Sequence, residues 1–249
     1  MLFQQSIEIY VLIGVVLAMA ATVQAASGFG FNLLAAPLLV AFLEPVAVVP
    51  ALHLAWLPVG VALVIHNRHD INVSRVLWFF LPALPTLLLG VWLLNVSRND
   101  EINEIVLKRG IGLVTIAVTI GIMLIGRHPF KRERLWQLCA GAVSGVMAGT
   151  TAMSGPPLIL LGLNQGWPSK TFRAELLLYF TMLHGISLPL YYWNGLLTET
   201  TVGYAVSGAP GLIIGFFVGI WMARHVSEKR FRFIAIVLLC LAGVMPWFQ

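Results

Sequence analysis

Gln24-Ala25-Ala26-Ser27-Gly28-Phe29-Gly30-Phe31-Asn32 interrupts an apolar stretch of more than thirty residues and leads into a second, shorter apolar run at 33–43. Two glycines around an aromatic permit a backbone unwinding that a β-branched residue resists. An unwound stretch exposes amides at the start of the half-helix that follows, where the partial positive charge of the helix dipole suits an anion. Ser27 and Asn32 add side-chain donors, and Gln24 stands one turn before them.

The surroundings of this break identify the solvent as lipid. Of 249 residues 59% are hydrophobic and only 10% charged, with a mean hydropathy of +0.91, against roughly 25% charge in a soluble domain. Apolar runs recur at 9–26, 46–65, 76–96, 105–126, 135–149, 176–193, 202–223 and 233–248. Most approach the ~17 to 25 residues that cross a bilayer as helix, and lipid leaves helix as the sensible choice because backbone polar groups must be satisfied internally. The alternating ten-residue strands of a β-barrel are absent. The approach to the first run, residues 1–8, lacks a positive n-region and carries Glu8, so the run reads as a retained span. Cys139 and Cys240 lie inside apolar runs without metal or redox spacing and read as small hydrophobes. The net charge of +5 fits loop topology better than nucleic acid.

Lysine and arginine number two in 66–75, four in 127–134, two in 164–173 and four in 224–232, while 194–201 has none. Placing the basic loops in the cytoplasm puts both chain ends in the periplasm. Gly90-Val91-Trp92-Leu93 recurs as Gly219-Ile220-Trp221-Met222, 129 residues later. The break at Ser27 has its counterpart in Thr151-Ala152-Met153-Ser154-Gly155, 124 residues on. Each half therefore reads as a long span, a Gly-broken short segment and three further spans, with a first repeat over 1–126, a linker over 127–133 and a second repeat over 134–249. The loop after the third segment carries basic residues in the first half, at 66–75, and no lysine or arginine in the second, at 194–201, which makes the halves inverted. Inverted repeats with interrupted helices are a recurring plan of secondary transporters, with the solute near the midplane.

The second break, Thr150-Thr151-Ala152-Met153-Ser154-Gly155-Pro156-Pro157, uses different residues to the same end. Proline suits a first helical turn, so Pro156 and Pro157 open the half-helix at 158–163. Candidate substrate-binding residues are Gln24, Ser27, Gly28, Phe29, Gly30, Phe31, Asn32, Thr150, Thr151, Ser154, Gly155 and Pro156. The competing reading of these small residues is close helix packing. His53 and His184 lie within spans, where a histidine is either a proton-coupling group or a neutral imidazole bonded to a backbone carbonyl. Arg173 and Glu175 open the span after Pro168 and read either as interfacial anchors or as a gate. No metalloprotease, nucleophile-elbow or P-loop motif occurs, which argues against an enzyme and implies no cofactor and no metal.

At these breaks the sequence resembles the TauE/SafE sulfite exporter family, also described as sulfonate permeases. The matching parts are Val23-Gln24 with Ser27-Gly28-Phe29-Gly30-Phe31 and Ala36-Pro37-Leu38-Leu39, the stretch from Gly149 through Gly155-Pro156-Pro157-Leu158, and Pro168-Ser169-Lys170-Thr171-Phe172-Arg173-Ala174. The resemblance runs through essentially the whole chain and implies an exporter of a sulfur-containing anion such as sulfite, sulfoacetate or another organosulfonate in the bacterial inner membrane. The family often has threonine where Ser27 stands, glycine at Ser154 and asparagine at His184, which points to a pocket of different size or proton dependence here. The expectation is thus an all-α polytopic membrane protein, an inverted-repeat transporter working by alternating access on a small anion, with protons as a candidate coupling ion. An anion channel and a carrier of another small organic anion stay open as alternatives, as does assembly as a homo-oligomer.

Overall fold

The structure is a computed structural model and describes residues 7–27, 29–124, 130–225 and 228–248. These form ten α-helices and three short 3-10 turns, with no strand among the described residues. The helices are α1 (Ile7–Ser27), α2 (Phe31–Val40), α3 (Pro45–Asn67), α4 (Val73–Val96), α5 (Glu101–Leu124), α6 (Glu133–Thr151), α7 (Pro156–Gln165), α8 (Ser169–Trp193), α9 (Glu199–His225) and α10 (Glu228–Val244). Residues 127–129 of the linker lie outside the described residues. Proline marks several starts, at the first positions of α3 and α7, where its missing N–H leaves no bond unmade. α7 stops where Gly166 turns left-handed at φ 66° and the Trp167 amide reaches back to the Gly162 carbonyl at 3.1 Å.

Four of these helices are long and apolar enough to cross a membrane, over Ile7–Ala26, Pro45–Asp70, Val73–Val96 and Glu199–Met222. The sequence reading expected spans in the other apolar runs too, and these lie on α5, α6, α8 and α10. α5 carries Glu101, Glu104, Lys108 and Arg109 in its first turns, α8 carries Lys170, Arg173 and Glu175, and α10 has only 17 residues. Leu81, Leu88, Trp92, Leu113, Ile213, Phe217 and Trp221 are exposed on the outside of the bundle, as are Cys139 and Cys240. An apolar exterior of this kind is what a lipid solvent selects.

The bundle is built on three helix pairings. α1 packs along α9, α4 along α6, and α3 against α8 in the middle, while α2 and α7 are tucked inside against α1, α3, α5, α6 and α10. The first two pairings are glycine seams. A Cβ at Gly141 or Gly145 of α6 would drive into the Phe79 and Ala83 carbonyls of α4, and one at Gly211 or Gly215 of α9 into the Gly14 and Ala18 carbonyls of α1. Without hydrophobic drive between helices in lipid, such close backbone approach supplies the packing that holds them together.

The polar ends sort the loops. Lys170 meets Asp70 at 3.0 Å, Arg75 meets Glu175 at 3.2 Å and the Trp167 indole donates to Glu133 at 3.0 Å, so the segments 66–75, 130–134 and 164–173 gather at one end of the bundle. At the other end Arg98 donates to the Gly195 carbonyl at 3.4 Å. The seams make a direct prediction: Gly145→Ala should destabilise the detergent-solubilised protein by about 1–3 kcal/mol through overpacking against α4. Gly110→Ala on α5, where a Cβ meets nothing within 4 Å, should leave it unchanged or slightly more stable. A thermal-unfolding comparison of the two variants checks this, and equal midpoints would remove the seam from the account of stability.

Candidate functional site

Between α1 and α2 the backbone is turned by Gly30 at φ 106°, a conformation that L side chains rarely adopt. The first amide of α2, on Phe31, is captured by the Gln24 side-chain carbonyl at 3.1 Å. Gln24 itself is buried. Gly28 lies outside the described residues, as does the side chain of Ser27.

α6 ends on Ala152, the one described non-glycine residue with positive φ, at 59°. A Cβ in the left-handed region costs of order 1–2 kcal/mol, so the surroundings hold it there. Thr151 Oγ1 accepts from the Met153 amide at 3.2 Å and donates to the Met147 carbonyl at 2.7 Å, while Thr150 Oγ1 donates back to the Val146 carbonyl at 2.8 Å. Ser144 Oγ donates to the Ser154 carbonyl and accepts from the Tyr179 hydroxyl at 2.7 Å. Tyr191 donates to the Gly149 carbonyl at 3.1 Å. Gly155 then caps α7, with the Ile159 amide on its carbonyl at 2.9 Å.

The two interruptions meet. Asn32 Nδ2 donates to the Ala152 carbonyl at 2.8 Å, across 120 residues of sequence. A cavity of about 30 Å³ opens beside this bond, lined by Gln24 and 30–33 from the first interruption and by 152–156 from the second. Trp56, Ile159, Phe180 and His184 close its walls. No carboxylate, lysine or arginine lines it among the described residues. Four buried polar atoms in and behind it have no hydrogen-bond partner: Asn32 Oδ1, Trp56 Nε1, His184 Nδ1 and His53 Nε2. A buried polar group without a partner costs about 1–3 kcal/mol.

Of the sequence candidates, Gln24, Gly30, Phe31, Asn32, Ser154, Gly155, Pro156 and His184 line the cavity. Phe29 packs on the apolar core nearby, and the Thr150 and Thr151 hydroxyls are turned onto their own helix. His53 stands behind His184, ring centroids 4.4 Å apart, with Nδ1 on the Val49 carbonyl at 2.9 Å. Trp56, Tyr179 and Tyr191 were not singled out from sequence. A tryptophan or tyrosine deep in a span, away from the interfacial belts where these residues gather, is the signal that flags them.

Glu175 lies at the basic end, its side chain fully buried, with both carboxylate oxygens 3.2 Å from Arg75 Nη1. The Trp167 ring covers the Arg75 guanidinium at 4.9 Å. Arg173, by contrast, is exposed. Outside this pair a vestibule of about 540 Å³ is lined by Arg75, Lys131, Arg132 and Arg134 together with Glu133. Tyr179 packs edge-on to Phe79 at 5.2 Å and to Phe80 at 6.3 Å.

No curated protein and no solved structure matches the chain. The family model described as "Sulfite exporter TauE/SafE" matches residues 12–245. A match over nearly the whole length, on a bundle of apolar helices, identifies a multi-pass membrane protein of transporter type: the chain belongs to the TauE/SafE sulfite exporter family.

Proposed function

We propose that the chain is a secondary transporter that exports a small sulfur-containing anion, sulfite or an organosulfonate, by alternating access. The observation that carries this reading is the cavity where the starts of α2 and α7 converge with unpartnered polar atoms and no fixed charge. Phe31 gives its amide to Gln24 and α7 opens on two prolines without N–H, so the donors on offer to an anion are the amides of Asn32 and Leu33 in the first turn of α2 and the Trp56 indole N–H. Hydrogen bonds to an ionised group contribute about 1.5–3 kcal/mol each, and several are needed to offset the desolvation of a buried anion. About 30 Å³ is one water's share of liquid volume, so the cavity is closed and must widen to hold the solute. A closed cavity favours a carrier over an open pore.

The inverted-repeat plan of 1–126 and 134–249 draws support from the helix pairings. A Cβ on Gly90 of α4 would meet the Val146 carbonyl of α6, and one on Gly219 of α9 would meet the Thr22 carbonyl of α1. Gly219 and Val146 are the repeat equivalents of Gly90 and Thr22, so one contact recurs with the halves exchanged. On this reading the basic end faces the cytoplasm, where the vestibule gathers anions. The Arg75–Glu175 pair under Trp167 is the inner gate, closed here. The anion crosses from vestibule to cavity when that pair parts.

Proteoliposomes should show saturable flux of sulfite or a sulfonate, and at least one of sulfite, thiosulfate, sulfoacetate and taurine should raise the thermal midpoint of the purified protein. Neither effect across the panel would sink the anion assignment, and non-saturating flux at channel rates would replace carrier by channel. For the gate, Arg75→Ala should cost about 3–5 kcal/mol by stranding the Glu175 carboxylate, and Arg75→Gln with Glu175→Gln should recover most of it. In a background lacking Cys139 and Cys240, that double variant should also let an impermeant thiol reagent reach Gly155→Cys faster from the Arg75 side. An unchanged labelling rate would assign the pair to structure alone.

A further inference from the structure

Asn32 donates from one amide nitrogen in two directions: to the Ala152 carbonyl at 2.8 Å and toward His184 Nε2, which lies 3.5 Å away. A carbonyl accepts only, so the first contact fixes which end of the Asn32 amide carries the hydrogens. His184 Nε2 then faces a donor and is unprotonated, and the neutral ring keeps its proton on Nδ1. Both His184 Nδ1 and Asn32 Oδ1 are without a partner, and the His184 side chain is 1% exposed.

A proton added at His184 Nε2 would set N–H against the Asn32 NH2. Rotating the amide by half a turn removes the conflict, because Oδ1 then accepts from Nε2–H. The same rotation takes Nδ2 off the Ala152 carbonyl and leaves one carbonyl oxygen facing another. The Asn32–Ala152 hydrogen bond that joins the two interruptions is thereby replaced by repulsion, and the freed NH2 is available to a ligand in the cavity.

We propose that Asn32 and His184 form a proton-operated latch, in which uptake of one proton at His184 Nε2 releases the Ala152 carbonyl and turns the Asn32 amide to an anion that enters with the proton. The latch rests on the anion reading of the cavity and adds to it the coupling ion and the charge class of the solute. The charge balance is one proton from solution for one negative charge, so the loaded cavity is neutral for a monoanion.

Among the described residues His53 is the other imidazole close by, and it shares a single positive charge with His184 at most. His53 of α3 is the titratable side chain nearest His184, and with ring centroids 4.4 Å apart the two imidazoles do not both ionise. The Tyr191 ring packs edge-on against His53 at 5.1 Å, and Trp56 packs edge-on against His184. Charged side chains on the helices packed around α8, Arg75 of α4 with Glu133 and Arg134 of α6, sit in first turns at the basic end. Lys170, Arg173 and Glu175 of α8 itself sit there too. A monoanion such as a sulfonate or hydrogen sulfite is therefore favoured over the sulfate dianion, which would leave a net charge buried.

Calorimetric titration of the full-length protein with methanesulfonate, an anion that does not titrate, in two buffers of different ionisation enthalpy tests this. Wild type should take up about one proton per anion, with affinity falling about tenfold per pH unit above the range where His184 titrates. Sulfate should bind more weakly. His184→Asn should bind without proton uptake and without pH dependence. Nitrogen-15 spectra of histidine-labelled wild type give a readout that no substitution can spoil, and His184 should be an imidazolium only when anion is bound. Binding of methanesulfonate or hydrogen sulfite with His184 still neutral, or unchanged proton uptake in His184→Asn, overturns the latch and leaves the transporter reading standing. Binding of neither anion at any pH overturns the anion reading and the latch with it.

Discussion

The Ala152 carbonyl has lost its place in a helix, and the Asn32 amide takes it up. In water such an interruption is cheap, because solvent satisfies the freed groups. Inside a bilayer each one needs a partner from the protein. The repairs here come from far along the chain or from the preceding turn: Gln24 for the Phe31 amide, Ser144 for the Ser154 carbonyl, Tyr191 for the Gly149 carbonyl. Each repair brings a polar side chain to the same few ångströms. The polarity of the cavity follows from this requirement, and so does the dependence of its shape on single hydrogen bonds.

Around that soft centre the bundle is stiff. The α1–α9 and α4–α6 seams bring backbone against backbone, an arrangement that leaves no slack for side chains to adjust. α2 and α7 have shorter contacts with several neighbours and end on turns rather than on seams. On the proposed transport reading, movement that opens the cavity is most easily accommodated where α2 and α7 begin, with the seamed pairs moving as units. The part-buried Arg75–Glu175 pair belongs to the same economy of parts, since it joins the N-terminal ends of α4 and α8 across 100 residues of sequence.

Much of the architecture was legible in the residues. Apolar runs of span length and the scarcity of charge dictate helix in lipid, and the helix limits lie within a few residues of those runs. The small-residue motifs around Gly30 and Gly155 carried a family resemblance that the whole-length match bears out. What could not be read was which side chain meets which. Arg173 and Glu175 read alike from sequence, as anchors or a gate, yet the geometry of α8 sends Arg173 outward and Glu175 inward to Arg75. His53 and His184 were separate candidates, and only the α3–α8 crossing makes them a pair. Trp56 was hidden because an apolar count treats its indole as another hydrophobe and ignores the N–H.

The α1–α9 seam has a consequence for how the molecule is made. α1 finds its principal partner, α9, only after nearly two hundred further residues have been synthesised, whereas α6 follows α4 closely. α1 therefore lacks that partner through most of synthesis, and its sequence suits the wait. Its seam is Gly14, Ala18 and Thr22, none of which exposes a polar group that lipid would penalise. The Thr22 hydroxyl bonds the Ala18 carbonyl of its own helix at 2.8 Å and also reaches the Gly215 carbonyl of α9 at 3.0 Å. The same hydroxyl that keeps α1 satisfied as a lone span is the one that recognises α9 when it arrives, so docking needs no polar group to be bared beforehand.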